Sequence, residues 1–511
     1  MTAHTTQSVA DSGDAVPLRL DGIFRINTNV SAGAESLSVV ADKAGKAGVD
    51  FIVVSDQFLV RAEYGLPPFR NVVKVWKTRK SVITIGVGEY LAEIAATDRE
   101  HPNLIVVPGV DVAPHYFWTG SPVSELTIHQ FSRQLTVFGS TDPELYRGLP
   151  VIHNEPEGTF FPHTILALTP LLIAAAGAVA LARKRVFYRD AQGNEYAKPK
   201  RWTVKFAAVL AIVLGILWTL DNRPFAKPSF AQYADNGRAA CQTTLDYVRK
   251  NDNNGRTGRV GVFWSAPEAR SSQKMGGVAL VTKGYVDDMT ATSGSNGFAG
   301  IYADTSTERF PRSFWDEMLS QYISGARELP PFVVGERDYH GRGGVPIDRI
   351  KTVVFIRGKG KDVRPKMEDV ATAIIDGHSY AVVKRDEREI ILDRIELIAE
   401  TRDGTTAHAI PGETLDAPRG ASVYLRLRGH LIRSGTAERA EGTLTLVMDG
   451  ERVLSQTIKL GNFAVETELP EEMARDGKRH YVRFNIDSKE SGRIVCNPIF
   501  CRFTTAAAEK K

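Results

Sequence analysis

Two long apolar segments constrain this chain more than any other feature. No charged residue occurs from 164 to 182, and residues 203–220 form a second apolar run interrupted only by Lys205. A helix needs about 20 apolar residues to cross a hydrocarbon core of roughly 30 Å, and each run is long enough. A pair of buried core helices is the alternative, but core helices usually carry a polar stripe, which neither run has. We therefore predict a transmembrane hairpin at 163–221 that contacts the lipid bilayer through 164–182 and 203–220.

The connection between the two runs indicates their orientation. Residues 183–201 are rich in Lys and Arg, and short basic loops of this kind stay in the cytoplasm. We expect a multi-pass protein of the bacterial cytoplasmic (inner) membrane, with its soluble regions outside the cytoplasm. Residues 1–20 hold no apolar signal segment. Export of the first domain would then need an anchor upstream of this sequence, or the orientation is reversed.

Composition narrows the class of protein. The chain has 511 residues, 43% of them hydrophobic and 24% charged, which is typical of globular domains. The net charge of +4 comes largely from residues 183–201, so the remainder is near neutral and no nucleic-acid partner is expected. Cys241, Cys496 and Cys501 match neither a disulfide framework nor a metal motif. Buried thiols are favoured over a bond between Cys496 and Cys501.

The first half, residues 18–162, alternates strands and helices. Buried strands are predicted at 22–28, 49–55, 104–112, 135–139 and 149–153, with a helix at 35–48. Continuous apolar strands that alternate with helices indicate a parallel sheet or barrel. In such folds, the residues at the carboxyl ends of the strands carry the chemistry. Those ends hold the following polar residues: Arg25, Asn27, Asp56, Gln57, Asp111 and His153.

These strand ends resemble the PHP (polymerase and histidinol phosphatase) family. The family's H-x-H-T, T-D-H and G-V-E motifs correspond here to Arg25-Ile26-Asn27-Thr28, Ser55-Asp56-Gln57 and Gly109-Val110-Asp111. The resemblance implies a distorted (β/α)7 barrel with a site for two or three metals that hydrolyses phosphoester or related bonds. It continues after the membrane hairpin, so it implies one barrel interrupted by the hairpin, with its second part at 222–385.

The second part holds three more segments that resemble the family. Phe263-Trp-Ser-Ala266-Pro-Glu268 resembles its S-H-P-E segment with Ala266 in place of His. Asp338-Tyr339-His340 resembles its last ligand pair, D-x-H, which is intact. The segment 373–380 resembles its closing helix. Helices are also predicted at 233–250, 314–325 and 367–376.

The departures from the family motifs bear on the metal site. Arg25, Asn27, Gln57 and Ala266 stand where metal-binding histidines are expected, and a guanidinium is a permanent cation with no acceptor. Arg25 is either a solvated strand residue or a cation that occupies the metal position and pairs with Asp111. In the second case Asp111 and Asp338 form a salt-bridged cluster, and a degenerate site without resident metal is expected.

Three retained residues define the alternative site. Asp111, Asp338 and His340 could hold one divalent ion (Zn, Mn or Fe), because three protein ligands suffice in catalytic zinc sites. His153 resembles the start of a further ligand motif, although a hydrogen-bonded structural histidine is favoured; His115 is a weaker candidate on the same grounds. A two-metal mechanism is not available to this set.

The last part of the chain predicts a β-sandwich domain at 386–503. Six or seven segments alternate apolar and polar residues, and Met448-Asp449-Gly450-Glu451 is a hairpin signal. The region resembles the small β-domain that follows the barrel in membrane-associated and secreted PHP-type hydrolases. Residues 1–17 and 504–511 are predicted to be disordered.

Three functions remain open on the sequence. The leading hypothesis is a membrane-anchored, non-catalytic PHP-like protein that binds or scaffolds an unknown envelope protein or small molecule. The rival is a metal-dependent hydrolase of the phosphoesterase type that uses a reduced metal site. An exporter or channel subunit is the third, and it has little support because Lys205 is the single charged residue within the spans.

Overall fold

The computed structural model describes residues 17–155, 157–183, 185–189, 191–199, 202–226, 230–252, 258–303, 307–358, 364–385, 387–418, 420–432, 440–470 and 478–504. The predicted disordered ends lie outside these ranges, apart from residues 17 and 504. The chain divides into two compact units. The first unit contains residues 1–59, 80–150 and 232–511, and the second contains residues 60–79 and 151–231.

A closed circuit of paired strands forms the centre of the first unit. Numbered in chain order, its strands are β1 (Leu18–Ile26), β2 (Phe51–Val54), β3 (Asp56–Gln57), β6 (Ile105–Val107), β7 (Gly109–Val112), β10 (Leu135–Phe138), β13 (Gly261–Trp264), β16 (Gly297–Tyr302) and β17 (Phe332–Tyr339). β1 pairs with β2 and β2 with β6, all parallel. One residue separates β2 from β3 and one separates β6 from β7, and β3 pairs with β7.

The circuit then returns to β1. β7 pairs with β10 and β10 with β13, both antiparallel, and β13, β16, β17 and β1 follow in parallel. Phe24, Phe138 and Phe263 come from β1, β10 and β13, and their ring centroids lie 5.3–5.9 Å apart. Because β1 is not a neighbour of β10 or β13, the contacts of Phe24 with the other two rings run across the inside of the circuit. Buried aromatic rings therefore fill its interior.

Helices cover the strands of the first unit. They are α1 (Leu37–Lys46), α2 (Val82–Ile85), α3 (Val87–Glu100), α4 (Pro143–Arg147), α8 (Gly237–Asp252), α9 (Val286–Ala291), α10 (Phe314–Ile323) and α11 (Met367–Ile375). In α1, Leu37, Val40, Ala41 and Ala44 are buried at a spacing of three to four residues, which is the apolar face of an amphipathic helix. The predicted mixture of parallel strands and helices is thus confirmed.

A four-stranded side sheet also belongs to the first unit. Its strands, in spatial order, are β14 (Ser271–Met275), β15 (Val278–Thr282), β9 (Leu126–His129) and β8 (Phe117–Thr119). The predicted strand at 149–153 is wrong: these residues form no strand. Pro150 has no N–H for a ladder, and the backbone turns so that the Asn154 N–H bonds to the Val151 carbonyl at 3.0 Å.

The C-terminal region is rich in β-strands, as predicted. Two strands of the predicted second barrel part precede it, β18 (Ile350–Ile356) and β19 (Ser379–Val383). Its own strands are β20 (Glu389–Glu400), β21 (Thr406–Ala409), β22 (Thr414–Pro418), β23 (Ser422–Ile432), β24 (Glu441–Met448), β25 (Glu451–Lys459), β26 (Asn462–Glu468), β27 (Arg479–Ser488), β28 (Gly492–Cys496) and β29 (Ile499–Thr504). β20, β21, β23 and β26 form one sheet. One core cluster joins it to strands β24 and β27 of the larger sheet, for example Leu397 and Leu425 with Leu446 and Phe484.

Two details of this region were accessible from the sequence. β24 and β25 are joined by Asp449 and Gly450 at φ 48° and 83°, the left-handed pair that a two-residue hairpin needs. The three cysteines are free and buried, as expected. The region is also tied to the strands before it, because β18 pairs with β1 and β19 pairs with both β18 and β28.

The second unit contains the two apolar segments. Its elements are β4 (Arg61–Gly65), β5 (Lys74–Thr78), α5 (His163–Leu168), α6 (Leu171–Ala182), β11 (Arg185–Arg189), β12 (Glu195–Pro199) and α7 (Trp202–Asp221). The runs His163–Ala182 and Trp202–Asp221 are long and apolar enough to cross a membrane. In the most apolar 18-residue stretch of each run, the buried share is 22% and 17%, respectively. The basic connection, predicted as a loop, is a β-hairpin. Residues 60–79, predicted as part of the first domain, pair as the hairpin β4–β5.

Candidate arginine-centred site

The candidate site lies where the carboxyl ends of several strands of the circuit meet. Parallel pairing brings the end of β1 beside β2 and β17, and sets Gln57 of β3 opposite Asp111 of β7. Arg25, near the end of β1, has a left-handed φ of 69°, and Asp338 in β17 has a φ of 47°. Such values are uncommon for residues with a side chain. The backbone therefore departs from regular strand geometry where these two side chains are positioned.

Arg25 forms the centre of the site. Its guanidinium is buried, and its Nε donates to Asp111 Oδ2 at 2.7 Å, as the sequence predicted. Nη1 donates to Glu336 Oε1 at 2.5 Å, and Nη2 donates to the Gln134 side-chain oxygen. Each of the three guanidinium nitrogens thus has a partner. Arg25 is not a solvated strand residue.

A third carboxylate completes the surroundings of Arg25. Asp338 Oδ1 lies 3.1 Å from Arg25 Nη1 and 3.1 Å from His340 Nε2. The Asp338 and His340 side chains are 43% and 33% exposed, whereas those of Asp111 and Glu336 are 0% and 1% exposed. Asp338 and His340 therefore form the accessible edge of the site, and Asp111 and Glu336 its buried base.

Hydroxyl groups support the buried base. Thr136 Oγ1 donates to Asp111 Oδ1 at 2.6 Å and lies 2.8 Å from Ser265 Oγ. Ala266 follows Ser265 with a φ of 41°, and its methyl group offers no ligand atom. The position of the expected histidine in this segment therefore contributes no donor to the site.

Asp56 has a separate hydrogen-bond network. It accepts from the Thr28 N–H at 2.8 Å, from Thr28 Oγ1 at 2.7 Å and from Ser31 Oγ. The Asn27 side-chain oxygen accepts from Ser31 Oγ at 3.4 Å, while its buried Nδ2 has no hydrogen-bond partner among the residues that the structure describes. Protein donors thus take up the oxygens of Asp56 that a metal would need.

Burial and charge shift the acidities of these groups in different directions. Burial raises the pKa of Glu336 to about 7, against the opposing effect of Arg25, and burial raises the pKa of Asp56 to about 6. Burial also raises the pKa of Asp111. Burial tends to raise the pKa of Asp338, but Arg25 and His340 outweigh it and hold that pKa well below its usual range. Of the three carboxyl groups beside Arg25, Asp338 therefore keeps its negative charge down to the lowest pH.

Two predicted candidates are not among the contacts of Arg25. His153 belongs to the second unit, where its Nδ1 is 3.8 Å from Glu63 Oε2, and burial lowers its pKa to about 4. His115 is buried with its Nε2 3.2 Å from the Ala234 carbonyl oxygen. The site thus draws its predicted members from Arg25, Asp111, Asp338 and His340, with Gln57 opposite Asp111 on the neighbouring strand.

Two contacts of Arg25 were missed at the sequence level. Glu336 lies two residues before Asp338 in β17, and the period of two along a strand places both on one face. That alternation could have identified it. Gln134, just before β10, carries no motif, and its role follows from the pairing of β10 with β7.

The donor set does not fit the metal centre that the motif resemblance implies. Among the residues that the structure describes, no three His, Cys, Asp or Glu side chains are placed to hold a metal ion together. Asp111, Glu336 and Asp338 instead face one guanidinium. A divalent cation beside Arg25 would be repelled by it, and it would have to compete for the same carboxylate oxygens.

Comparisons with known proteins give matches among solved structures. No family model matches the chain, and a search of curated proteins finds no match. One similar structure is a two-domain protein from Bacteroides vulgatus containing a predicted PHP-like metal-dependent phosphoesterase. It is 9% identical, with 96% of this chain and 99% of that chain covered and a TM-score of 0.30.

A second similar structure is described as a metal-dependent phosphoesterase from Bifidobacterium adolescentis. It is 12% identical, with 70% of this chain and 96% of that chain covered and a TM-score of 0.28. Both neighbours are thus of the phosphoesterase class that the sequence motifs resemble. With TM-scores below 0.5, neither carries an argument about this chain, whose chemistry has to follow from its own side chains.

Proposed function

We propose that this chain is a membrane-anchored, PHP-like pseudoenzyme that binds or scaffolds an envelope protein or small molecule. Its strand circuit would be the distorted (β/α)7 barrel of that family, and its C-terminal region the β-sandwich. One observation carries the proposal: the guanidinium of Arg25 is buried, and all three of its nitrogens are paired. The cation that the acidic residues require is part of the protein itself.

Electrostatics explain why this arrangement replaces a metal. Carboxylates such as Asp111 and Glu336 cannot stay buried and charged without a partner, because desolvation of a charge costs several kcal/mol. Arg25 supplies that partner through directed hydrogen bonds. A guanidinium cannot activate water by lowering its pKa, as a catalytic metal ion does. The site therefore supports recognition rather than hydrolysis.

The packing of the apolar helices supports membrane anchoring. Their buried residues are small: Ala174 and Gly177 on α6, and Ala208, Gly215 and Thr219 on α7. The large apolar side chains face outward, as with Leu172 at 72% exposed. This is the reverse of a soluble core, and close contact through small residues is typical of membrane helices. We place 164–182 and 203–220 in the lipid, and the basic hairpin β11–β12 on the cytoplasmic side.

The accessible edge of the site indicates where a ligand would bind. Asp338 and His340 are paired and part-exposed, while each nitrogen of the guanidinium behind them donates to another side chain. A partner that carries hydrogen-bond donors or a cation would find Asp338 negatively charged at neutral pH, because its pKa is lowered. This edge gives the proposed binding component its recognition surface.

One observation favours a second candidate, a metal-dependent hydrolase. Asp338 and His340 are adjacent and accessible, and together with Asp111 they could ligate one Zn, Mn or Fe ion if Arg25 moved away. In that case the Arg25 ion pairs would be a resting state.

The metal content of the purified protein separates the two functions. The full chain would be incubated in detergent with Zn, Mn and Fe, desalted and analysed by elemental mass spectrometry, with His340→Ala as a comparison. The pseudoenzyme predicts no more than about a tenth of an equivalent of any metal in either form. About one equivalent that is lost in His340→Ala would support the hydrolase and would justify a phosphoesterase screen.

A further inference from the structure

A second hairpin in the second unit is attached to the end of the apolar helices. Between β4 and β5, the Asn71 N–H donates to Asp221 Oδ1 at 2.6 Å, and Asn71 Nδ2 donates to the Asp221 carbonyl at 2.8 Å. Asp221 is the last residue of α7. The hairpin β4–β5 is therefore fixed at the end of the helix pair opposite to the basic hairpin β11–β12.

The same end is closed by contacts between the segments that enter and leave the helices. His163 Nε2 lies 3.2 Å from the Arg223 carbonyl oxygen, and Thr164 Oγ1 donates to the Pro224 carbonyl at 2.7 Å. These bonds hold the start of α5 against the residues that follow α7. These hydrogen bonds therefore hold together the segment that enters the helix pair and the segment that leaves it.

A set of exposed apolar side chains lies on the segments at this end of the helix pair. We call it the collar, and it consists of the exposed residues Leu66, Val73, Val75, Trp76, Phe161 and Phe225, which are 41–81% exposed. Its members come from β4–β5 and from the segments that flank the helices. Lys77 and Arg79 are exposed on the same hairpin. A fully extended chain from Asn71 to Trp76 spans at most about 17 Å, so Trp76 stays close to the helix end.

We propose that the hairpin β4–β5 lies in the headgroup layer of the lipid leaflet next to Asp221, with the collar residues at that depth. Aromatic rings at that depth and cationic groups toward the lipid phosphates are the composition of a membrane interface. The hairpin is hydrogen-bonded to the end of α7, where Leu214, Trp218 and Leu220 are exposed, so lipid that surrounds these side chains is also the occupant expected at the collar. The inference rests on the proposed membrane anchoring, and it gives the hairpin the role of setting helix depth and tilt.

Depth-dependent fluorescence quenching tests this placement on the full chain. The native cysteines are buried, so a single introduced cysteine can be labelled with an environment-sensitive fluorophore. Three variants would be compared: Val75→Cys in the hairpin, Leu210→Cys on the exposed face of α7, and Ala191→Cys in the turn of β11–β12. Each would be reconstituted into vesicles of phosphatidylcholine and phosphatidylglycerol that carry a nitroxide on the headgroup or on the acyl chain.

The expected pattern distinguishes the hairpin from the anchor. The label at 210 is expected to lose most fluorescence with the acyl-chain nitroxide. The label at 75 is expected to lose most fluorescence with the headgroup nitroxide, and the label at 191 is expected to be quenched by neither. Trp76→Ala in the Val75→Cys background is expected to reduce the headgroup quenching. If 210 is quenched and 75 is not, the hairpin placement is overturned while the membrane anchor stands. Protection of an unquenched label at 75 from aqueous iodide would point to a protein partner instead. If 210 is not quenched, the anchor itself fails.

Discussion

Replacing Arg25 by methionine tests the central feature of the site. The substitution removes the cation from between Asp111 and Glu336, whose side chains are 0% and 1% exposed. Breaking a buried ion pair by removing one partner costs about 3–5 kcal/mol, because a buried charge is left without compensation. The pair with Asp338 adds little, since that side chain is 43% exposed. We expect Arg25→Met to lower the free energy of unfolding by about 3–5 kcal/mol.

A matched control is available at Arg312. It forms a two-bond pair with Glu451 at 2.8 and 2.9 Å, and both side chains are largely exposed. Its φ of 60° is close to the 69° of Arg25, so the backbone cost of methionine is similar at both positions. Because exposed pairs contribute at most about 1 kcal/mol, Arg312→Met should change stability little. Unfolding of both variants can be followed by tryptophan fluorescence in the same detergent.

The dependence on pH sharpens the test. Without Arg25 the pKa of Glu336 loses the effect that opposes burial and rises further, so the carboxyl group is neutral over a wider range. The difference between Arg25→Met and the wild type should then shrink as the pH falls from about 8 to 5. Adding Glu336→Gln should restore part of the loss at pH 8. A loss no greater than that of Arg312→Met, or one that does not vary with pH, would refute the arginine-centred site.

Three further outcomes are expected. In the wild type, the pKa values of Glu336 and Asp56 are raised above 4.5 and 3.8 to about 7 and 6, so these groups favour folding at low pH and their contribution is lost as the pH rises. Because the lowered pKa of His153 acts in the opposite direction, the contribution of Glu336 is measured by comparison with Glu336→Gln; the same dependence of the unfolding midpoint on pH between 5 and 7 in both proteins would contradict it. Gly215→Leu should lower the midpoint, because its Cβ would lie 2.7 Å from Ala174 N and 2.8 Å from the Pro170 carbonyl oxygen. Leu214→Ala on the exposed face is the control, and equal effects would argue against close helix packing. Arg483→Met should cost about 3–5 kcal/mol, since it breaks a buried pair with Asp316 at 2.6 and 2.7 Å; a cost like that of Arg312→Met would contradict it.

The sequence predicted the elements that depend on local pattern. Segments of alternating apolar and polar residues within 386–503 form strands as predicted, for example Ser422–Ile432. The turn at Asp449 and Gly450 followed from the need for positive φ. The strand predicted at 149–153 was wrong because buried apolar residues such as Leu149 and Val151 give the same sequence pattern in a turn as in a strand. The hairpin β4–β5 was missed because its strands have five residues each and Lys74 and Lys77 flank the two apolar residues of β5.

The site was predictable where opposite charges come from neighbouring strand ends. Arg25 and Asp111 met as expected because their strands end at the same side of the sheet. Gln134 could not be found in this way, since a neutral side chain before a strand carries no signal until the register of β10 is known. His153 was placed by motif, and its partner Glu63 depends on the long-range packing of the second unit.

The acidic residues alone cannot decide between a binding protein and a hydrolase. A buried set such as Asp111 and Glu336 requires a cation, and either a metal or a guanidinium supplies it. If a metal site lost its ion while an arginine arose beside it, the carboxylates would still be needed for charge balance. Retention of Asp338 and His340 is therefore expected under both functions. The positions that discriminate are those whose replacements carry no charge, Asn27, Gln57 and Ala266, because nothing in the pairing of Arg25 would prevent histidines there. Under the proposed pseudoenzyme, histidines at these positions would have no metal to bind, whereas a hydrolase would gain ligands from them. The metal content of the intact chain is therefore the decisive observation.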